Sequence, residues 1–387
     1  MGFMASGVAA GIKKKAGALD VALIVSATNC NAAAVFTKNR VKAACVLRGQ
    51  AQIASNANRM RAVVINAGCA NACTGEEGSR NAEDSAAAAA AALGIESADQ
   101  VMTMSTGVIG VQLPMQHLRN GILMAAHDLS VDGFERASLA IMTTDTVPKT
   151  SVAQFEVDGR SFSIAGMAKG SGMIHPDMAT MLSVIVTDAQ VSPARLRLAL
   201  RRAANRSFNS ISVDGDTSTN DTLLVLANGA SGARPSEAEF ERALTQACID
   251  LATQIARDGE GATKLITIRI TGATSETMAR NVGRTIATSP LVKTAFYGED
   301  ANWGRVLCAA GYSGEPIEQT SASLWFGGVQ VLNNGTPANY SEEAATLAMK
   351  PRDVEVHLDL GLGQAEALVW TCDLSHEYVT INGRYRS

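Results

Sequence analysis

The sequence predicts an α+β protein built in layers, and three observations lead to that class. Apolar runs typical of buried strands are mixed with helical stretches, but they do not follow the strict strand–helix–strand order of a doubly wound sheet. Hydrophobic residues make up 47% of the chain and charged residues 18%, a balance typical of globular proteins. With 387 residues, the chain is long enough for two or three domains with an ample core.

The first predicted elements are two buried strands and a helix. Residues 18–27 (ALDVALIVSA) and 61–68 (RAVVINAG) are short apolar runs, as buried strands require. Residues 79–95 predict a helix with Ser79 as N-cap and Gly94 as stop, and with a run of alanines between them. Because a face of alanines is smooth, this helix is expected to pack closely on a sheet.

A strand, two helices and a hairpin are predicted next. Residues 99–110 indicate a strand that runs into a glycine turn, and residues 114–130 and 133–144 have helical patterns. Residues 151–168 predict a β-hairpin, because Asp158-Gly159 is a strong signal for a tight turn between two strands.

The second half of the chain is predicted to mix strands with helices. The predicted strands are 181–188, 222–228 and 264–271, and the predicted helices are 193–206, 235–257 and 275–287. Beyond them, strands alternate with short helices to the end of the chain. The sequence therefore predicts three regions: a main region 1–190, an α/β subdomain 191–275 and a C-terminal α/β region 276–387.

Composition excludes several classes of function. A net charge of −4 does not indicate the basic surface that nucleic-acid binding requires. Because only 4% of the residues are aromatic, surfaces on which the bases of single-stranded nucleic acid could stack are not expected. No apolar run is long enough for a membrane span. The seven cysteines are scattered and odd in number, which predicts reduced thiols in a cytoplasmic protein.

The common site motifs are missing. There is no phosphate-binding G-x-x-x-x-G-K-[ST] loop, no dinucleotide-binding G-x-G-x-x-G and no G-x-S-x-G nucleophile elbow. Cys69 and Cys73 have no second pair at zinc spacing, so we expect buried thiols and no metal. The segment DGDTSTNDT (214–222) lacks the glycine and glutamate of a calcium loop and predicts a polar loop near a site. His175 is the one histidine placed to be considered as a base.

The segment KGSGMIHPDMATML (169–182) contains the most unusual junction in the chain. A loop with two glycines and a proline leads into Ala179-Thr180, and a strand pattern begins at once. A threonine hydroxyl is a weak nucleophile unless a base lies beside it, and an N-terminal threonine has its own α-amine as that base. Such a threonine arises if Thr180 Oγ attacks the preceding carbonyl and the resulting ester is hydrolysed. From the residues alone, the alternative that Thr180 simply begins a strand stays open.

The whole chain resembles the ornithine acetyltransferases, also called bifunctional glutamate N-acetyltransferases of arginine biosynthesis. Family-like segments occur in family order from one end of the chain to the other. Besides the junction they are GVAAGIK, AVFTKNRVKAA, NAGCANACTGEEG, STGVIG, IMTTDTVPK, SVDGDTSTNDT, DGEGATK, SPLVKTAFYGEDANWGRVL and CDLSHEYVTIN. Two positions depart from the family pattern, Ala301 in place of a usual proline and Asp177 in place of a common asparagine, and they affect at most the local loop shape.

The resemblance implies a fold, a maturation step and a reaction. The fold is an αββα-type sandwich like that of self-cleaving aminopeptidases, with further α/β subdomains. The chain is cut between Ala179 and Thr180 into an α chain (1–179) and a β chain (180–387), which stay associated, usually as α2β2. Thr180 then carries an acetyl group from N-acetylornithine to glutamate, and Thr106 and Gly107 form the oxyanion hole.

The resemblance also implies the substrate contacts, which are Thr143, Lys169, Thr180, Glu260, Asn382 and Ser387. Lysine suits a substrate carboxylate and glutamate suits a substrate amine. No cofactor is implied, and whether acetyl-CoA also serves as acetyl donor stays open. Two alternatives remain at this point: an aminopeptidase or amidohydrolase of related fold, and a non-catalytic binding protein that is never cut.

Overall fold

The computed structural model describes residues 1–175 and 181–384. Their strands are β1 Phe3–Val8, β2 Val21–Phe36, β3 Met60–Cys69, β4 Val101–Val108, β5 Lys149–Val157, β6 Arg160–Lys169, β7 Leu182–Thr187, β8 Ile211–Ser212, β9 Thr222–Ala227, β10 Leu265–Ala273, β11 Ser323–Phe326, β12 Val329–Asn333, β13 Thr336–Pro337, β14 Asp353–Asp359 and β15 Ala365–Cys372. Their helices are α1 Ala44–Asn56, α2 Gly75–Leu93, α3 Met115–His127, α4 Phe134–Ala140, α5 Pro193–Arg206, α6 Glu237–Arg257, α7 Glu276–Thr288, α8 Pro290–Tyr297, α9 Trp303–Gly311, α10 Glu342–Met349 and α11 His376–Gly383.

The described residues fall into two compact units, and each is built from separate stretches of chain. The first unit comprises residues 1–170, 181–208 and 216–251. The second comprises residues 171–175, 209–215 and 252–384. The predicted region boundaries at 190/191 and 275/276 stay predictions.

The first unit is organised by the long strand β2. Its first part pairs with β1 and β3, its last part pairs with β9, and the register shifts between Val25 and Cys30. The sheet order is therefore β4-β3-β2-β9-β7-β6-β5, with β1 also on β2. Apolar residues from both halves of this path form one shared core, among them Ile24 and Ile65 from one half and Val184 and Leu224 from the other.

Helices cover the outer surface of each half. On one side, alanines of α2 and apolar residues of α3 pack with the outward residues of β2, β3 and β4. On the other side, α6 approaches β6 so closely that a Cβ on Gly166 would lie 2.9 Å from Leu251 Cδ1. The order helix, sheet, sheet, helix confirms the predicted layered α+β sandwich.

The second unit has its own sheet and core. Seven strands follow the order β13-β12-β11-β14-β10-β15-β8. Strand β10 pairs in parallel with β14 and antiparallel with β15. One face of this sheet packs on α7 through residues such as Ile268, Val282 and Ile286.

Most predicted elements exist, with shifted ends. The helix at 193–206 is confirmed with those bounds, and the hairpin at Asp158-Gly159 has both turn residues at positive φ, +51° and +70°. The helix predicted from Ser79 begins at Gly75 instead, while its stop at Gly94 is confirmed by a left-handed C-cap. The prediction missed β1 and α1 altogether. Among the described residues, no helix is long and apolar enough to cross a membrane.

Candidate active site

The predicted site residues divide between the two units, and some cannot be placed. Ala179 and Thr180, which form the cleavage junction, and Ser387 lie outside the described residues. The other predicted residues are Thr106, Gly107, Thr143 and Lys169 in the first unit and Glu260 and Asn382 in the second. Each group is described within its own unit.

The strand that follows the junction lies at the centre of the first unit. At its start, Leu182 pairs with Lys169 on one side and with Thr222 on the other. The backbone N–H of Thr222 also donates to the carbonyl of Met181 at 3.0 Å. Because β7 and β9 are parallel, Met181 and Asp221 both lie just before the beginnings of neighbouring strands.

The predicted oxyanion residues lie at the end of β4. Gly107 has a φ of +130°, and a Cβ there would come within 2.3 Å of the carbonyl carbon of Gly68. Only glycine therefore lets β4 come this close to β3, and the backbone around half-buried Thr106 is fixed by that contact.

Asn220 connects the end of β4 to the start of β9. Its side-chain amide donates to the carbonyls of Ser105, at 2.8 Å, and of Ala70, at 2.6 Å. The hydroxyl of Ser105 in turn donates to Asn66 Oδ1 at 2.7 Å. The turn carrying Thr106 is thus linked through buried amides to the loop that precedes Asp221.

Asp145 organises the residues around Thr143 and Lys169. Its fully buried carboxylate accepts from the backbone N–H groups of Thr143, at 2.9 Å, and Gly170, at 2.6 Å, and from Lys149 Nζ at 2.6 Å. Burial raises the pKa of Asp145, but the charges of Lys169 and Lys149 and these hydrogen bonds outweigh it and bring the pKa to about 2. The carboxylate is therefore ionised at neutral pH and fixes the segments on both sides of it.

Lys169 lies in a group of buried charges. Its side chain is only 8% exposed, and its charge acts on Asp145, Asp221 and Lys13. Burial lowers the pKa of Lys13, while Asp20 and Asp145 raise it. Such a concentration of buried charge is unusual for a purely structural strand end and is typical of binding and catalytic sites.

The second unit brings Glu260 and Asn382 together. Asn382 Nδ2 donates to Glu260 Oε2 at 2.7 Å, and the backbone N–H of Glu260 donates to the carbonyl of Ser171 at 2.9 Å. A Cβ on Gly172 would lie 2.4 Å from the carboxyl carbon of Glu260. Position 172 must therefore be glycine, because any side chain there would collide with the Glu260 carboxylate.

His175 has other partners than a nucleophile. Its Nε2 lies 2.8 Å from a guanidinium nitrogen of Arg284, which can only donate, and its Nδ1 lies 3.2 Å from Ser212 Oγ. Both ring nitrogens are engaged within the second unit, so the arrangement does not favour His175 as a general base. The expectation of two buried thiols is correct for Cys69 and wrong for Cys73, which is exposed.

Sequence reasoning missed Asp145, Asn220 and Asp221 as individual residues. The polar loop 214–222 was predicted to lie near a site, but its composition does not distinguish buried members from exposed ones. A signal exists in hindsight: Asn220-Asp221 immediately precede a fully apolar strand, where polar side chains become buried at the strand's end.

Comparisons with known proteins agree with this geometry. A family model described as the ArgJ family matches residues 4–387. The arginine biosynthesis bifunctional protein ArgJ of Symbiobacterium thermophilum is 50% identical over 395 residues, covering 100% of this chain and 97% of that protein. The protein of the same name from Parasynechococcus marenigrum is 46% identical over 384 residues, covering 99% of this chain and 93% of that protein.

A solved structure is also similar. The arginine biosynthesis bifunctional protein argJ of Bacillus halodurans matches at 44% identity with a TM-score of 0.50. The match covers 95% of that crystallised chain but 51% of this one. The crystallised chain is therefore about half as long as the chain described here.

Proposed function

Because this chain belongs to the ArgJ family, we propose that it transfers an acetyl group from N-acetylornithine to glutamate through an acetylated Thr180. The observation that carries the proposal is the position of Met181, the residue after Thr180. Met181 directly precedes β7, which pairs with β6 at Lys169 and with β9 just after Asp221. Asn220, the residue before Asp221, is hydrogen-bonded to Ser105 next to Thr106. The products are ornithine and N-acetylglutamate, and the substrates are small molecules of arginine biosynthesis.

The reaction consists of two acyl transfers. Thr180 Oγ attacks the acetyl carbonyl of N-acetylornithine while the α-amine of Thr180 takes the hydroxyl proton. The C–N bond then breaks, and ornithine leaves with that proton on its amine. The amine of glutamate attacks the acetyl ester next, and Thr180 Oγ recovers a proton as N-acetylglutamate leaves.

Both steps pass through a tetrahedral oxyanion. The Thr106 hydroxyl and the Gly107 N–H are proposed as its two donors. Rigid donors lower the barrier most, because no reorganisation is needed when charge develops. The close contact of Gly107 with Gly68 and the amide link from Asn220 support this role, since both make the turn rigid.

Charged residues in each unit are proposed to recognise charged groups of the amino-acid substrates. Lys169, supported by Asp145 and Lys149, binds a carboxylate, and Thr143 adds a polar contact. In the second unit, Glu260 binds a substrate amine and Asn382, with Ser387, completes the recognition. Hydrogen bonds to charged groups contribute about 1.5–3 kcal/mol each, so these contacts are sufficient for specific binding.

Self-cleavage at Ala179-Thr180 is proposed to produce the nucleophile. The crystallised Bacillus halodurans chain is about half as long as this chain, which is the length expected of one cleavage product. The two fragments are proposed to stay together and to assemble as α2β2. No cofactor is required by this mechanism.

The experiment is an assay of the purified protein with N-acetylornithine, with and without glutamate. With glutamate, ornithine and N-acetylglutamate should form in equal amounts, with parallel double-reciprocal lines for the two substrates. Without glutamate, a transferase releases at most one ornithine per active site, whereas an amidohydrolase continues to turn over. Thr180→Ala should stay a single chain and be inactive. Replacing N-acetylornithine by acetyl-CoA in the same assay decides whether acetyl-CoA is a second donor.

A further inference from the structure

The proposed reaction leaves one charged group of its substrates without a partner. Lys169 is proposed to bind a carboxylate, which N-acetylornithine and glutamate both have, and Glu260 is proposed to bind an amine. The side chain of N-acetylornithine ends in an amine, whereas the side chain of glutamate ends in a second carboxylate. Because a carboxylate such as Glu260 repels that group, its recognition requires a further cation.

Lys13 is a cation held by backbone carbonyls instead of by a carboxylate. It lies half-buried in the segment between β1 and β2, and its Nζ donates to the carbonyls of Leu19, at 2.5 Å, and of Ala140, at 3.2 Å. Ala140 is the last residue of α4, and the C-terminal end of a helix favours a positive charge. Among the described residues, no carboxylate lies within ion-pairing distance of Lys13 Nζ, and two of its three N–H groups are in use.

The backbone that carries Lys13 is fixed by Asp20. The fully buried carboxylate of Asp20 accepts from three backbone N–H groups, among them those of Ile12, at 2.6 Å, and Lys13, at 3.0 Å. Lys14 and Lys15, the next two residues, are exposed. Of three consecutive lysines, only the first is therefore held in a defined position, and the second offers a matched control.

The same segment packs on the strands that form the predicted oxyanion turn. A Cβ on Gly68 would lie 3.3 Å from Cγ2 of Ile12, the residue before Lys13. Gly68 is in turn the residue whose carbonyl carbon lies so close to Gly107. The backbone at Lys13 is thus separated from the predicted oxyanion turn by a single strand.

The side chain of Lys13 extends towards the charged group around Lys169. Its partner Ala140 lies three residues before Thr143, whose backbone N–H donates to Asp145 at 2.9 Å. Burial and the charge of Lys169 lower the pKa of Lys13, while Asp20 and Asp145 raise it. Because the two lysines repel each other, a ligand with two carboxylates stabilises this arrangement more than a ligand with one.

We propose that Lys13 binds the side-chain carboxylate of glutamate and so selects the acetyl acceptor. The two carbonyls hold the ammonium in place while its remaining N–H group donates to the carboxylate. The side chain of N-acetylornithine has no anion to bind there. Lys169 therefore serves both substrates, and Lys13 serves glutamate alone. This inference rests on the proposed transfer from N-acetylornithine to glutamate.

Steady-state kinetics separate the two substrates. When an enzyme carries the acetyl group between two substrates, kcat/KM for each substrate reports only the half-reaction of that substrate. Lys13→Met should lower kcat/KM for glutamate by about 10- to 100-fold, the loss of one hydrogen bond between charged groups, and leave kcat/KM for N-acetylornithine within about twofold. Lys14→Met, at the exposed neighbouring position, should behave like wild type.

Glutamine as acceptor separates charge from shape, because its side chain ends in an uncharged carboxamide of similar size. Wild type should prefer glutamate to glutamine, and Lys13→Met should lose most of that preference. Since the preference is a ratio of two values of kcat/KM, it does not depend on how much of the variant is folded.

Three results would overturn the inference while leaving the acetyl transfer intact. The first, which needs no variant, is a wild type that uses glutamine as well as glutamate. The second is a Lys13→Met variant that keeps the preference for glutamate. The third is a variant that loses kcat/KM for N-acetylornithine and glutamate alike, as a purely structural role predicts. A wild type that transfers no acetyl group to glutamate would instead contradict the proposed function.

Discussion

Strand β6 has a basic residue at each end, and the two residues differ in their burial and in their partners. Arg160 follows the exposed hairpin turn and donates to the carbonyl of Gly232 at 3.2 Å. Lys169, at the other end, is buried next to Asp145 and pairs with the strand that follows the junction. Burying a charge is costly unless it is compensated. Of the two cations on β6, only Lys169 bears that cost, and it lies at the end to which the proposed chemistry belongs.

Asp145→Ala should have the largest effect on stability, because it leaves Lys149 buried without its carboxylate partner. We expect a loss of about 3–5 kcal/mol in the free energy of unfolding, measured by urea denaturation. Asp128→Ala is the matched control. Asp128 pairs with Arg136 at 3.2 Å on the surface, so its loss should cost less than about 1 kcal/mol. Equal losses for the two variants would mean that the buried charges are not what distinguishes this end.

Thr106→Ala should strongly reduce turnover while leaving the fold intact. Losing one oxyanion donor reduces kcat by about 10²–10³, while the dissociation constant for ornithine should hardly change. Thr28→Ala, at an exposed position of the same unit, should be silent. Normal turnover of Thr106→Ala would remove this residue from the site.

Lys149→Met tests whether the charge balance of the group matters. Without Lys149, the Asp145 carboxylate neutralises more of the Lys169 charge, so KM for both carboxylate substrates should rise by about tenfold or more. Adding Asp145→Asn to this variant removes the excess negative charge but keeps an acceptor for only one of the N–H groups of Thr143 and Gly170, which donate to different oxygens of Asp145. The double variant should therefore recover part of the affinity. A double variant no better than the single one would show that Lys149 acts by packing alone.

The smallest effect is expected for Arg160→Met, and setting this variant beside Lys169→Met compares the two ends of β6 directly. Arg160→Met should leave kcat and KM unchanged and alter stability by less than about 0.5 kcal/mol, as surface substitutions usually do. Lys169→Met should raise KM for both substrates. Similar kinetics for the two variants would contradict the substrate role of Lys169.

The sequence predicted most of the layers but not the details that give the site its charge. The hairpin, α5 and β9 follow from turn residues, a proline at the helix start and a fully apolar run, all of which are local signals. Helix α1 was missed because Ala43 offers no side-chain cap and the first turn of the helix has no acidic residue, so the usual signals of a helix start are missing. The length of β2 was missed because its register shift has no sequence signature.

The buried charges could not be predicted for a related reason. Asp145 lies in a segment of threonines that is typical of an exposed turn, and its burial depends on Gly170 and Lys149, which β6 and β5 bring to it. Asp221 likewise becomes buried only when β7 pairs with β9. Contacts between strands far apart in sequence set these properties, whereas the junction motif and the STGVIG turn can be recognised locally.

The measurement that tests the central claim most directly is the intact mass of the protein after incubation with N-acetylornithine alone. Two fragments are predicted, separated between Ala179 and Thr180. The fragment that begins TMLSVIV should gain the mass of one acetyl group and lose it when glutamate is added. An uncut chain that still transfers acetyl groups, or an active enzyme whose fragment never carries one, would contradict the account.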